Sequence, residues 1–196
     1  MRKVKEGDID KMGLLYERYY KELFRYLCKV TGKREVSEDL VHNVFFRMLK
    51  YRNGFAGTGE FRTWMYHIAR NALYDSLKKE RRISFHESLR TREFEERLAE
   101  EDPAERDREK ENELKILESA MAEMPVENRE LLVMVRFQEL KYAEIAEILS
   151  ISEGAVKVRV HRAVNQLREI YLGMYKKYKD YELSGFQGNV SSSAHR

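Results

Sequence analysis

The sequence is poor in the residues that cross-link or punctuate a chain. Its single cysteine, Cys28, rules out an internal disulfide framework and fits a reducing compartment. Two prolines in 196 residues suit helical bundles better than an all-β domain with many turns. No apolar run reaches the roughly 18 residues that span a bilayer, which argues against membrane insertion. Met1-Arg2-Lys3 opens no signal peptide, so a cytoplasmic protein is expected. His42, His67, His86, His161 and His195 lack metal-ligand spacing, and no glycine-rich phosphate loop is found. Cys28 sits in an apolar helical stretch rather than beside a base. The chain therefore reads as a non-enzyme without metal or cofactor.

Charge is what the sequence has most of, and it is unevenly placed. Residues 1–82 hold 19 basic and 11 acidic side chains, a net +8, whereas residues 83–124 hold 7 and 14, a net −7. Residues 125–196 return to +2, so two basic pieces flank an acidic strip. This asymmetry suits a polyanion partner.

Hydrophobic spacing predicts helices in the first part and no strand. From Asp8 to about Val30, Leu15, Tyr19, Leu23, Tyr26, Leu27 and Val30 follow a period of about 3.6 residues, and Gly32 ends the run. Ser37 reads as an N-cap, with Glu38 and Asp39 in the first turn. The helix it opens carries Leu40, Val41, Val44, Phe45, Phe46, Met48 and Leu49 around most of its circumference. One face can pack internally, and the excess implies a second covered side. Asn53, Gly54, Gly57 and Gly59 mark a loop. A further helix from Glu60 to about Arg82 places Phe61, Trp64, Met65, Ile68, Ala69, Ala72 and Leu77 on one face.

The expected division is all-α: a helical domain over 1–82, an acidic linker over 83–111, a second four-helix domain over 112–175 and a flexible tail over 176–196. The linker contains Glu93-Phe94-Glu95-Glu96 and Glu100-Glu101-Asp102-Pro103, and reads as extended or only partly helical. In the second domain, helices are expected around Leu114–Met124, Glu127–Phe137, Tyr142–Leu149 and Glu153–Tyr171. The Gly/Ser-rich stretch from Ser184 reads as frayed.

Tyr142 to Lys157 has the order of a helix-turn-helix. Ala146 is small where the two helices must cross, Ile151 places an apolar group inside the turn, and Ser152 caps the second helix. Ser150 stands where positive φ is expected, at a cost of about 1 kcal/mol for a residue other than glycine. In the second helix Val156, Val160, Ala163 and Leu167 face the core. Lys157, Val158, His161, Arg162 and Asn165 then point outward together, with Arg159 at the flank. Such a face can enter a major groove while its cations meet phosphates. In the first domain Tyr66, Arg70, Tyr74, Lys78 and Arg81 recur along one helix face, with Asn71 beside them. Rings interleaved with cations suit single-stranded DNA; a solvated surface would use the same spacing.

Three motifs in this order resemble one family. Asp39-Leu40-Val41-His42-Asn43-Val44-Phe45 resembles the core-binding helix of sigma factors. Phe61-Arg62-Thr63-Trp64-Met65-Tyr66-His67-Ile68-Ala69-Arg70-Asn71 resembles their promoter-melting helix, and Ile151–Arg159 resembles the DNA-reading segment of their last domain. Order and length are similar to the extracytoplasmic-function (ECF) group, over about residues 8–82 and 112–172.

The resemblance implies a subunit that binds RNA polymerase core and selects promoter DNA. Asp39, Asn43, Phe45 and Arg47 would dock on the clamp of the largest subunit, and the last domain would sit on the β flap. Trp64, Tyr66, Arg70, Asn71 and Tyr74, with the loop Asn53–Glu60, would open the −10 element and hold an extruded base. Lys157, Val158, Arg159, His161 and Arg162 would bind the −35 element. An anti-sigma factor would be the regulatory partner. Three departures from the family pattern stand out: His42-Asn43, Val158 and Ala155 replace Gln plus an acid, Ser, and Thr. A helix-turn-helix regulator that never joins polymerase is the rival reading. It accounts for residues 112–172, but not for the doubly apolar Leu40–Leu49 helix. A helical adaptor binding only proteins is a third.

Overall fold

The computed structural model describes residues 1–57, 60–86 and 105–190, with side chains placed over 1–57, 60–80 and 110–180. The acidic motifs between Glu93 and Pro103 lie outside the described residues. Eight α-helices and one 3-10 turn follow in order, and no strand occurs among the described residues. A short α1 (Arg2–Lys5) precedes α2 (Lys11–Thr31) and α3 (Arg34–Lys50); the turn Arg52–Gly54 then leads to α4 (Phe61–His86). After the gap come α5 (Glu105–Glu123), α6 (Val126–Arg136), α7 (Tyr142–Leu149) and α8 (Glu153–Val190).

Local chemistry fixes most helix ends. Gly32 closes α2 at φ 73°, its N–H bonding to Cys28 O at 2.9 Å, a left-handed position that glycine occupies without strain. The next helix starts three residues before the predicted cap, because a different serine-threonine arrangement wins. Lys33 N–H donates to Thr31 Oγ1 (3.1 Å), and Ser37, buried inside α3, donates back to Lys33 O at 2.6 Å. Ser37 is thus a helix-interior residue bonding one turn back, not a cap. At α7 the Glu144 carboxylate accepts the Lys141 N–H at 2.7 Å. Ser150 has φ 54° and ψ 45°, as its place in the turn predicts, and Ser152 Oγ accepts the Ala155 N–H at 3.1 Å to open α8.

Two corrections concern the ends of the chain. The segment Arg2–Lys5, absent from the sequence reading, is helical with Val4 fully buried. The last helix does not stop near Tyr171 but runs through Gly173 to Val190, 38 residues or about 57 Å at 1.5 Å per residue. Its continuation is supported laterally by α5, where Asn112 Nδ2 donates to the Tyr178 hydroxyl at 2.9 Å, and by Tyr171 stacked on Tyr175. Periodicity read from Val156 to Leu167 could not see that neighbour.

Helices α2, α3 and α4 enclose Leu23, Leu27, Val30, Val41, Val44, Met48, Met65, Ala69 and Leu73. In the second half, α6, α7 and α8 bury Val133, Met134, Ile145, Ile148 and Val156. These are not two isolated cores. Helix α6 lies on α2 and α7 lies on α4, so the apolar interior is continuous between the halves.

Candidate functional site

The predicted site residues fall on four surfaces, and the structure treats them differently. On α3, Asp39 and Asn43 are exposed and Arg47 is half-buried. Asn43 Oδ1 accepts Arg47 Nε at 2.6 Å, and Arg47 Nη1 donates to Asp75 Oδ2 at 2.7 Å, which ties this stripe to α4. Phe45, by contrast, is only 6% exposed and packs against Tyr16 with ring centroids 4.8 Å apart. The ring that faces outward is its neighbour Phe46, 65% exposed. The seven-residue motif ends at Phe45, and only the phase of α3 against α2 and α4 decides that Phe46 is the ring outside.

Along α4, Asn71 is exposed and Trp64 is half-buried, edge-on to Phe55 at 5.3 Å. The stripe Tyr66, Arg70, Tyr74 is not a free surface, because α6 covers it. At the centre is Glu130, 1% exposed. Its Oε1 accepts the Tyr26 hydroxyl (2.8 Å) and its Oε2 accepts the Tyr74 hydroxyl (2.9 Å). Arg70 Nε lies 3.4 Å from Oε2 but off the hydrogen-bonding axis, so it acts on the carboxylate by charge. The Arg70 guanidinium also sits 4.6 Å from the Tyr74 ring centroid. Tyr66 is wholly buried; its hydroxyl reaches Glu22 Oε1 (2.8 Å) and the Gln138 side-chain oxygen (2.7 Å). Arg62 joins the same cluster, to Glu22 Oε1 at 2.9 Å and to Gln138 O at 3.1 Å.

Burial sets the acid–base character of this contact. It pushes the Glu130 carboxyl above its ordinary range, opposed by the Arg70 charge and the two tyrosine hydroxyls. Burial, then the neighbouring Glu130 carboxylate, drives the Tyr26 and Tyr74 hydroxyls up as well. Next to Glu130, Arg129 donates to Val30 O at the end of α2 (2.8 Å) and to Ala122 O (2.6 Å) and Met124 O (3.0 Å). Burial lowers its pKa. Sequence reasoning missed Arg129, Glu130 and Gln138 altogether. The available signal was positional: Glu130 occupies the i+4 place in an otherwise apolar row of Val126, Val133 and Phe137.

The loop between α3 and α4 keeps Phe55 buried against Phe61 and Trp64. The α8 surface is open throughout. Lys157, Val158, Arg159, His161 and Arg162 are all exposed, Val158 by 51%. Lys157 pairs with Glu153 on its own helix at 3.0 Å, and Asn165 Nδ2 lies 3.4 Å from His161 Nδ1. An exposed ion pair of this kind contributes little and leaves the lysine free to exchange partners. On the side between α5 and α8 a shallow cleft of about 530 Å³ is lined by Leu114, Leu117, Val164, Leu167, Arg168 and Tyr171, among others. The arrangement can bind duplex DNA along α8 and a protein along α3 or in the cleft. Among the described residues no group of three or more His, Cys, Asp or Glu side chains could hold a metal, and no helix is long and apolar enough to cross a membrane.

Two family models match this chain: "Sigma-70 region 2" over residues 15–83 and "Sigma-70, region 4" over residues 114–167, together more than half its length. RNA polymerase sigma factor YlaC of Bacillus subtilis is 28% identical over 160 residues, 82% of this chain and 91% of that protein. ECF RNA polymerase sigma factor SigM of the same organism is 28% identical over 158 residues, 80% of this chain and 93% of that one. Among solved structures, the sigma factor RpoE in complex with the anti-sigma factor NepR from Bartonella quintana gives a TM-score of 0.65 at 19% identity. That match covers 81% of this chain and 94% of RpoE. CnrH, in complex with the cytosolic domain of CnrY, gives 0.61 at 19%, covering 86% and 92%. At those identities the likeness is one of fold. A regulator that never joins polymerase would not account for the match over 15–83, which contains the core-binding and promoter-melting motifs. The chain therefore belongs to the sigma-70 family, in its ECF group, and is a promoter-recognising subunit of RNA polymerase.

Proposed function

We propose a division of that work among named residues, along the boundaries 1–82, 83–111, 112–175 and 176–196. The exposed stripe of α3, with Asp39, Asn43 and Arg47, docks on the clamp of the polymerase largest subunit. Phe46 supplies the apolar anchor and Phe45 holds the helix from beneath. The cleft between α5 and α8 receives the β flap. Lys157, Val158, Arg159, His161 and Arg162 bind the −35 duplex, where Arg162 or Lys157 reads guanine and Val158 meets a thymine methyl. Trp64, Tyr66, Arg70, Asn71 and Tyr74, with the loop from Asn53 to Glu60, engage the −10 element and hold an extruded base by stacking. The protein acts by binding alone, in the cytoplasm, and an anti-sigma factor restrains it by covering the surfaces that face polymerase.

The observation that carries this reading is the contrast between the two DNA surfaces. Five side chains of α8 stand clear of the protein, whereas Tyr66, Arg70 and Tyr74 are engaged by Glu130 and Gln138. Reading the −10 strand with those three residues therefore requires α6 and α7 to leave α2 and α4. Binding of the two halves to separate sites on a large enzyme supplies the force for that separation. The test is run-off transcription with purified core polymerase and templates bearing candidate promoters. A specific new start that depends on added protein is expected; unchanged core transcription refutes the reading.

A further inference from the structure

Residues 1–6 precede both family-matched segments and have no role in the reading above. They fold back onto the loop that joins α3 to α4. Val4 anchors them, fully buried. On either side of it a cation reaches the loop backbone: Arg2 Nη2 donates to Gly57 O at 2.7 Å, and Lys5 Nζ donates to Phe55 O at 2.8 Å. Hydrogen bonds from a charged donor are about twice as strong as neutral ones. The far side of the loop is held by Phe55, buried edge-on against Trp64 and Phe61. Gly57 lies at φ +76°, between the two supports, where its backbone has more freedom than any other residue would allow. A glycine-containing stretch left to itself would sample many shapes; here Phe55–Gly57 is held on one face by Arg2 and Lys5, distant in sequence, and on the other by Phe61 and Trp64.

We propose that Arg2 and Lys5 are positioning residues for base selection in the −10 element. By fixing the carbonyls of Phe55 and Gly57 they hold this stretch of the loop in a single shape before DNA arrives, so that discrimination between bases is not dissipated in reshaping it. This rests on the reading that the loop from Asn53 to Glu60 holds an extruded base. A direct phosphate contact by the same cations makes a different prediction. It would weaken binding evenly across sequences and reduce the salt dependence, without altering base preference.

The test uses holoenzyme reconstituted from core polymerase and the full chain, acting on a pool of duplex templates randomised across both promoter elements, with the transcripts sequenced. The Arg2→Ala/Lys5→Ala double variant keeps Val4 and hence the anchor. Its preference at the loop-read position is expected to fall about threefold or more, a partial loss of what one base contact supplies, while polymerase co-purification holds. The Arg2→Lys/Lys5→Arg variant retains both donors and should restore the preference, which a general loss of stability would not explain. An even loss over all templates with a shallower salt dependence overturns the proposal in favour of phosphate contacts. The loop variant Asn53→Ala runs alongside. If it shifts preference and the double variant does not, the brace is wrong and the loop reading stands. If neither shifts it, both fall.

Discussion

Removing the Glu130 carboxylate should loosen the contact between the two halves of the molecule. In Glu130→Ala the Tyr26 hydroxyl, 0% exposed, loses its acceptor. A buried donor left unpaired costs about 1–3 kcal/mol. The losses at Tyr74 and Arg70 are smaller, since both are partly exposed and can turn to water. The relief of not burying Glu130 offsets part of the total. A net weakening of about 2 kcal/mol follows, which is roughly a 30-fold shift toward the separated state. Two fluorophores, one on the outer face of α3 and one on the outer face of α8, would read the separation. Binding of single-stranded −10 DNA should rise with it. Retained helical circular dichroism and retained −35 duplex binding would show that neither half has unfolded.

The same contact carries a pH signature. Closure raises the Glu130 pKa, so the closed state is favoured fully when this group is protonated, below its ordinary pKa. The advantage is lost as pH rises through the raised, closed-state value. Acidification through that window should therefore bring the fluorophores together in the wild type and not in Glu130→Gln. A variant as compact as the wild type at every pH, or a wild type that opens on acidification, would refute the reasoning.

Other substitutions bear on single surfaces. Phe46→Ala should reduce polymerase association with little change in melting temperature. Phe45→Ala, which empties a core position beside Tyr16, should cost about 3–5 kcal/mol of stability; equal effects on melting would contradict the assigned phase of α3. Arg162→Ala should weaken −35 duplex binding by about 1–3 kcal/mol if it contacts a base, and an unchanged footprint would remove it from that role. Ser150→Gly relieves a left-handed serine at the expense of a freer unfolded chain, so thermal melts should show stabilisation below about 1 kcal/mol. A loss of stability there would mean that the Ser150 side chain does something the geometry does not show.

The parts of this molecule that were legible in its sequence are those decided within a few turns of chain. Gly32, Ser150 and Ser152 behave as their positions require because each acts on backbone at most four residues away. The outward set on α8 was legible for the same reason: the stripe Val156, Val160 and Ala163 fixes the helix phase, and Lys157, Val158 and Arg162 follow from it. What failed depended on neighbours distant in sequence. Phe45 and Phe46 differ by one position, and only the packing of Tyr16 separates them. Glu130 looks like any surface acid until Tyr26 and Tyr74, 104 and 56 residues away, are brought to it. The covering of Tyr66 and Arg70 by α6 and α7 is a tertiary event that no periodicity records.

The length of α8 has a mechanical consequence. The turns that carry Lys157 and Arg162 and the distal turns belong to one continuous helix of about 57 Å. A tilt of a single degree imposed near one end moves the other by about 1 Å, comparable to the tolerance of a directional hydrogen bond to a base edge. Whatever grasps the distal turns thus acquires leverage over promoter choice without touching the nucleic acid.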